Sequence, residues 1–147
     1  MKLLIKVLQF LSVSEVNALT QLCQAIKILI HDNTHEFRVL VTDKSDVPTR
    51  VTKLVNHYKN LEKVLYSHAI NNLDVQKVLL NNTNTLRVLT IYNRHFDLDK
   101  AFKNIKLPLL TQFSFIDYPR EISDVAIAQF TKSCPNLTLI NFSAAPS

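Results

Sequence analysis

Leu61-Glu62-Lys63-Val64-Leu65-Tyr66, Leu86-Arg87-Val88-Leu89-Thr90-Ile91, Leu110-Thr111-Gln112-Phe113-Ser114-Phe115 and Leu137-Thr138-Leu139-Ile140-Asn141-Phe142 are four copies of one template, L-x-x-φ-x-φ, with φ apolar or aromatic. A weaker copy starts at Phe37, so the starts at 37, 61, 86, 110 and 137 lie 24, 25, 24 and 27 residues apart. Apolar residues at every second position mark a short strand with one buried face. A unit of this kind cannot bury its apolar edge alone, so self-similarity at a fixed period implies that neighbouring units stack.

Helical patterns fill the intervals. Val47, Val51, Leu54, Val55 and Tyr58 share one face, with Pro48 where a first helical turn tolerates it. Val75, Val78 and Leu79 mark a second helix; Leu98, Ala101, Phe102 and Ile105 mark a third, with Asp97 and Asp99 near its positive start. Ile122, Ile127, Phe130 and Cys134 mark a fourth, preceded by Ser123-Asp124. Short strand and helix alternating at this period predict an α/β leucine-rich-repeat solenoid over residues 39–147, its short strands parallel.

Within each template the φ positions belong to the core and the intervening ones to a concave sheet face. The concave residues are then Lys63, Leu65 and Ser67; Val88, Thr90 and Tyr92; Gln112, Ser114 and Ile116; and Leu139, Asn141 and Ser143. Apolar members among polar ones suit a partner-binding surface, with Tyr92 as the first choice of anchor. The competing expectation is that a further repeat, loop or tail covers them.

Residues 1–38 read as helices. Leu3, Leu4, Val7, Leu8 and Leu11 follow one helical face. Ser12-Val13-Ser14-Glu15 has the form of a capping box and opens a second helix whose stripe is Val16, Leu19, Leu22, Cys23, Ile26, Leu29 and Ile30. His31-Asp32-Asn33-Thr34 ends it with residues that favour turns.

Two resemblances follow. Ile122-Ser123-Asp124, then a helix, then Cys134-Pro135-Asn136-Leu137 and a short strand resembles the cysteine-containing leucine-rich repeat of F-box proteins; Ala126 stands where that family often has glycine. The front is similar to an F-box through Val7-Leu8-Gln9-Phe10-Leu11, Glu15-Val16, Leu22-Cys23-Gln24-Ala25-Ile26, Asp32 and Phe37-Arg38. Ile26 departs from the usual tryptophan, and the family's Leu-Pro opening is missing. The resemblance implies an F-box-like segment, residues 1–38, ahead of the repeats. It also implies a substrate-recognition subunit of a cullin-based (SCF-type) ubiquitin ligase. The front helices would hold a Skp-family adaptor, and through it the cullin scaffold, by way of Leu4, Leu8, Leu11, Leu19 and Ile26. The concave face would hold a protein substrate. The alternative expectation is a stand-alone repeat scaffold or effector in which the front helices only cap the array.

Composition narrows the remaining classes. The chain has no glycine, so Gly-rich phosphate loops and the G-x-S-x-G elbow are excluded, and tight turns fall to Asn, Asp, Ser or Pro. Net charge is +5, yet the 17 Lys and Arg run evenly from Lys2 to Lys132 with no two adjacent. Lys100, Lys103 and Lys106 read as the solvated face of one helix, so no phosphate-tracking patch is expected. A basic nucleic-acid-associated repeat protein is the weaker, third reading. His31 and His35 are four apart but lack the Glu of H-E-x-x-H, and no metal, cofactor or catalytic site is expected. Cys23 and Cys134 read as buried free thiols of a reducing compartment, cytoplasmic or nuclear, which would leave the sequons at Asn81, Asn136 and Asn141 unused. Lys6 and Gln9 interrupt what would otherwise be a signal-peptide core, and no apolar run is long enough to span a bilayer. Outside a ligase complex a monomer is expected. The missing Leu-Pro opening and the stop soon after Phe142 suggest a fragment, a degenerate copy or a divergent small member.

Overall fold

The computed structural model describes residues 2–22, 24–42, 57–67, 72–92, 96–118 and 122–144. Its centre is one five-stranded, all-parallel sheet: β1 (Val39–Val41), β2 (Lys63–Ser67), β3 (Val88–Tyr92), β4 (Gln112–Tyr118) and β5 (Leu139–Ala144), each beside its neighbour in sequence. The pairing register equals the template offset. Leu40, Val64, Leu89, Phe113 and Ile140 face one another strand to strand, and so do Val41, Leu65, Thr90, Ser114 and Asn141. A slip of one residue would turn every apolar side chain to the wrong face, so the alternation pins this register.

One junction recurs at every strand pair. The carbonyl at the second template position accepts two backbone N–H groups from the following copy. Arg38 O takes Glu62 N and Lys63 N, and Glu62 O takes Arg87 N and Val88 N. Arg87 O takes Thr111 N and Gln112 N, and Thr111 O takes Thr138 N and Leu139 N, all at 2.7–3.1 Å. Threonine hydroxyls reinforce it: Thr85 donates to Leu61 O, Thr111 to Arg87 O and Thr138 to Thr111 O. Buried Asn82 ties the sheet to its loops. Its Oδ1 accepts from Leu61 N at 2.8 Å, and its Nδ2 donates to the carbonyls of Tyr58 and Val78.

The helices among the described residues are α1 (Lys2–Leu8), α2 (Val13–Leu22), α3 (Gln24–Asp32), α4 (Asn72–Asn81), α5 (Leu98–Phe102) and α6 (Asp124–Ser133). The helix expected over residues 47–58 lies outside the described residues except for Tyr58, which is buried. The capping box forms as expected: Ser12 Oγ accepts from Glu15 N and Glu15 Oε1 accepts from Ser12 N, each at 3.2 Å. Asp97 caps α5 through Lys100 N, and Ser123 caps α6 through Ala126 N. The α5 helix stops at Phe102, short of Ile105, and the chain turns through Asn104 at φ 61°. Asparagine tolerates that left-handed conformation better than most residues, which suits a chain without glycine.

All of this closes over one core. Ile5, Leu8, Val13, Val16, Leu29 and Ile30 from the front helices, the inward strand residues, and Val75, Val78, Leu79, Ala101, Phe102, Ala126 and Phe130 from the later helices form a single buried cluster. Its second half is aromatic: Phe113 lies 4.5 Å from Phe130 and 5.9 Å from Phe102, with edge or tilted ring contacts. No helix among the described residues is long and apolar enough to cross a membrane.

Candidate protein-binding face

The side of the sheet away from that cluster is uncovered among the described residues. Lys63, Tyr92, Gln112, Leu139 and Asn141 are exposed, while Leu65, Val88, Thr90, Ser114, Ile116 and Ser143 are half-buried by their own strand neighbours. Register sorts them into lanes across the strands: Val39–Lys63–Val88–Gln112–Leu139, and beside it Val41–Leu65–Thr90–Ser114–Asn141. A third lane runs Tyr92–Ile116–Ser143, and the side chain of Ser67, its fourth member, lies outside the described residues. The structure therefore brings the concave candidates onto one surface, with Tyr92 36% exposed at its rim.

The adaptor candidates are divided. Leu4 is exposed, Leu11 and Leu19 are half-buried against the core, and the side chain of Ile26 lies outside the described residues. Leu8 is a correction: it is buried, because the turn of α1 that presents Ile5 to the core presents Leu8 with it. The outward side of α1 carries Leu3, Leu4, Val7 and, just beyond the helix, Phe10, which is 88% exposed.

A groove the sequence did not disclose joins the two regions. It has a volume of about 490 Å3 and lies between Lys6, Gln9 and Phe10 on one side and Val39, Val41, Lys63 and Leu65 on the other. Val39 and Val41 occupy the concave positions of the weaker copy at Phe37, so extending the lane to that copy would have found them. A hydrogen bond from Arg38 N to Gln9 Oε1 at 2.9 Å holds the two walls together. On the helical side of the molecule, a cleft of about 640 Å3 between α5 and α6 is rimmed by Lys103, Lys106 and Lys132.

Burial pushes the Cys134 thiol from its ordinary 9.0 up to about 12, so the nucleophilic thiolate is disfavoured. Asp97 is committed to its cap and to Lys100 Nζ at 3.4 Å. Among the described residues no group of three or more His, Cys, Asp or Glu is placed to hold a metal ion.

No family model matches the chain, and no curated protein or solved structure is significantly similar to it.

Proposed function

We propose that this chain is a leucine-rich-repeat solenoid that binds a partner protein across the uncovered face of its sheet. The observation that carries the reading is the junction repeated at all four strand pairs. It stacks the strands in one direction, and the outward side chains of β2 to β5 described in the structure are exposed or half-buried. Half-exposed apolar groups set among polar ones on that face suit a protein partner.

Within that class, the reading is a substrate-recognition subunit of a cullin-based ubiquitin ligase, docking a Skp-family adaptor through the front helices. Support comes from the outward side of α1. A helical element serving only as a cap keeps a polar outer face, whereas Leu3, Val7 and Phe10 are exposed here. The chain would then contribute binding and orientation, and the ligase machinery the chemistry. The alternative, a stand-alone scaffold with a helical cap, draws support from the core shared by α1, α2 and the sheet.

Co-expression with the host's Skp-family adaptor separates the two. A stoichiometric complex that Leu3→Asp and Val7→Asp abolish, with thermal stability retained, is expected of the ligase subunit. A folded chain that forms no complex leaves the scaffold.

A further inference from the structure

We infer that the groove between the end of α1 and the first two strands takes an acidic peptide segment carrying one large apolar side chain. The inference rests on reading the open face as protein-binding, and it names the chemistry of what binds there.

The floor of the groove is apolar. Val39, Val41 and Leu65 lie on the outer lanes of β1 and β2, half-buried and with nothing above them among the described residues. Phe10 makes the wall. The chain leaves α1 through a tight turn, Phe10 N donating to Val7 O at 3.1 Å, and the ring is left 88% exposed beside that floor. The Gln9–Arg38 bond tethers the chain beside Phe10 to the residue that precedes β1, and the exposed ring next to it offers a partner an apolar contact.

The rim sets the sign of the partner's charge. Lys6 and Lys63 stand on opposite walls, no Asp or Glu lines the groove, and neither lysine is ion-paired among the described residues. Two unneutralised cations around an apolar slot complement carboxylates flanking an apolar anchor. A phosphate polymer would satisfy the lysines and leave the valines, Leu65 and Phe10 uncovered. The observations therefore favour a peptide. A volume of about 490 Å3 falls in the range of pockets that enclose a small ligand.

The test uses the full chain and a blocked, fluorescein-labelled peptide, Asp-Glu-Trp-Glu-Asp, followed by anisotropy. Binding should weaken at least about tenfold when Ala replaces Trp, and again as salt rises and screens the lysines. Lys63→Glu and Lys6→Glu should each weaken it several-fold, and together by at least about tenfold. Both residues are exposed, so melting temperatures should stay unchanged. Lys132→Glu, exposed on the opposite, helical side of the molecule, should leave binding intact. Equal binding of the Ala peptide overturns the inference, as does indifference to the lysine reversals or equal competition by a DNA oligonucleotide. Maleimide labelling of Gln112→Cys in a Cys23→Ser background reports separately on the open face. Labelling without peptide binding removes the groove alone. A folded chain that resists labelling removes the protein-binding face as well.

Discussion

Leu40 and Ile140 stand in the same lane of the sheet, four strands apart, and differ twentyfold in exposure: 2% against 40%. Both are aliphatic and both occupy the first φ position of the template. Leu40 has β2 on one side and Phe37, Val16 and Leu8 in the same cluster. Ile140 has Phe113 beside it and no described strand beyond. Burial in this architecture is thus conferred by neighbours, and an identical template yields core in one place and surface in another.

The largest effect expected on that contrast comes from alkali, because each end holds one buried acid neutral. Tyr58, stacked on Phe37 at 5.3 Å, is pushed by burial from 10.0 to about 12, and Cys134 from 9.0 to about 12. The folded state prefers both groups protonated. Their stabilisation is complete below about pH 9 and is lost as pH rises toward 12. Denaturation midpoints should hold steady from neutrality to about pH 9 and fall steeply above it. Tyr58→Phe and Cys134→Ala should each flatten that fall, and a slope unchanged in both variants would refute the assignment.

Next in size are two truncations in the core, one in the shared lane and one in the turn that ties the sheet to its loops. Phe113→Ala removes a fully buried ring from the middle of the aromatic cluster and should cost about 4 kcal/mol by urea denaturation. Asn82→Ala should cost about 2 kcal/mol, since it leaves Leu61 N and the Tyr58 carbonyl without their partner inside the core. Smallest is Ile140→Ala, below about 1 kcal/mol, because much of that side chain already meets water. If Ile140→Ala proved as costly as Phe113→Ala, something would have to cover β5.

Local chemistry made much of this legible beforehand. Alternation fixed the strand faces, period fixed the register, and Ser12-x-x-Glu15, Asp97 and Ser123 announced their helix starts through hydrogen bonds that depend on a few adjacent residues. The alternating face also placed Tyr92, Gln112 and Asn141 correctly on the open side. What stayed hidden depends on residues distant in sequence. Val7 and Leu8 are neighbours in one apolar stripe, yet one is exposed and the other buried, and only the way α1 joins the shared core decides between them. The groove needs Gln9 to find Arg38 across 29 positions. Asn82 looks like any turn asparagine until Tyr58 and Leu61 close around it. Ile105 fell outside its helix because Asn104 turns the chain first.

The recurrent carbonyl that receives two N–H groups has a kinetic corollary. Each of its four junctions links template positions one copy apart, 24–27 residues along the chain. The entropic cost of closing a loop grows only with the logarithm of its length, so every step of assembly costs nearly the same. No single pairing must wait for the two ends of the chain to meet. Folding can nucleate at whichever adjacent pair of strands docks first and zip outward in both directions. The pair β4–β5, where Phe113 and Phe115 each meet the ring of Phe142, is the natural seed.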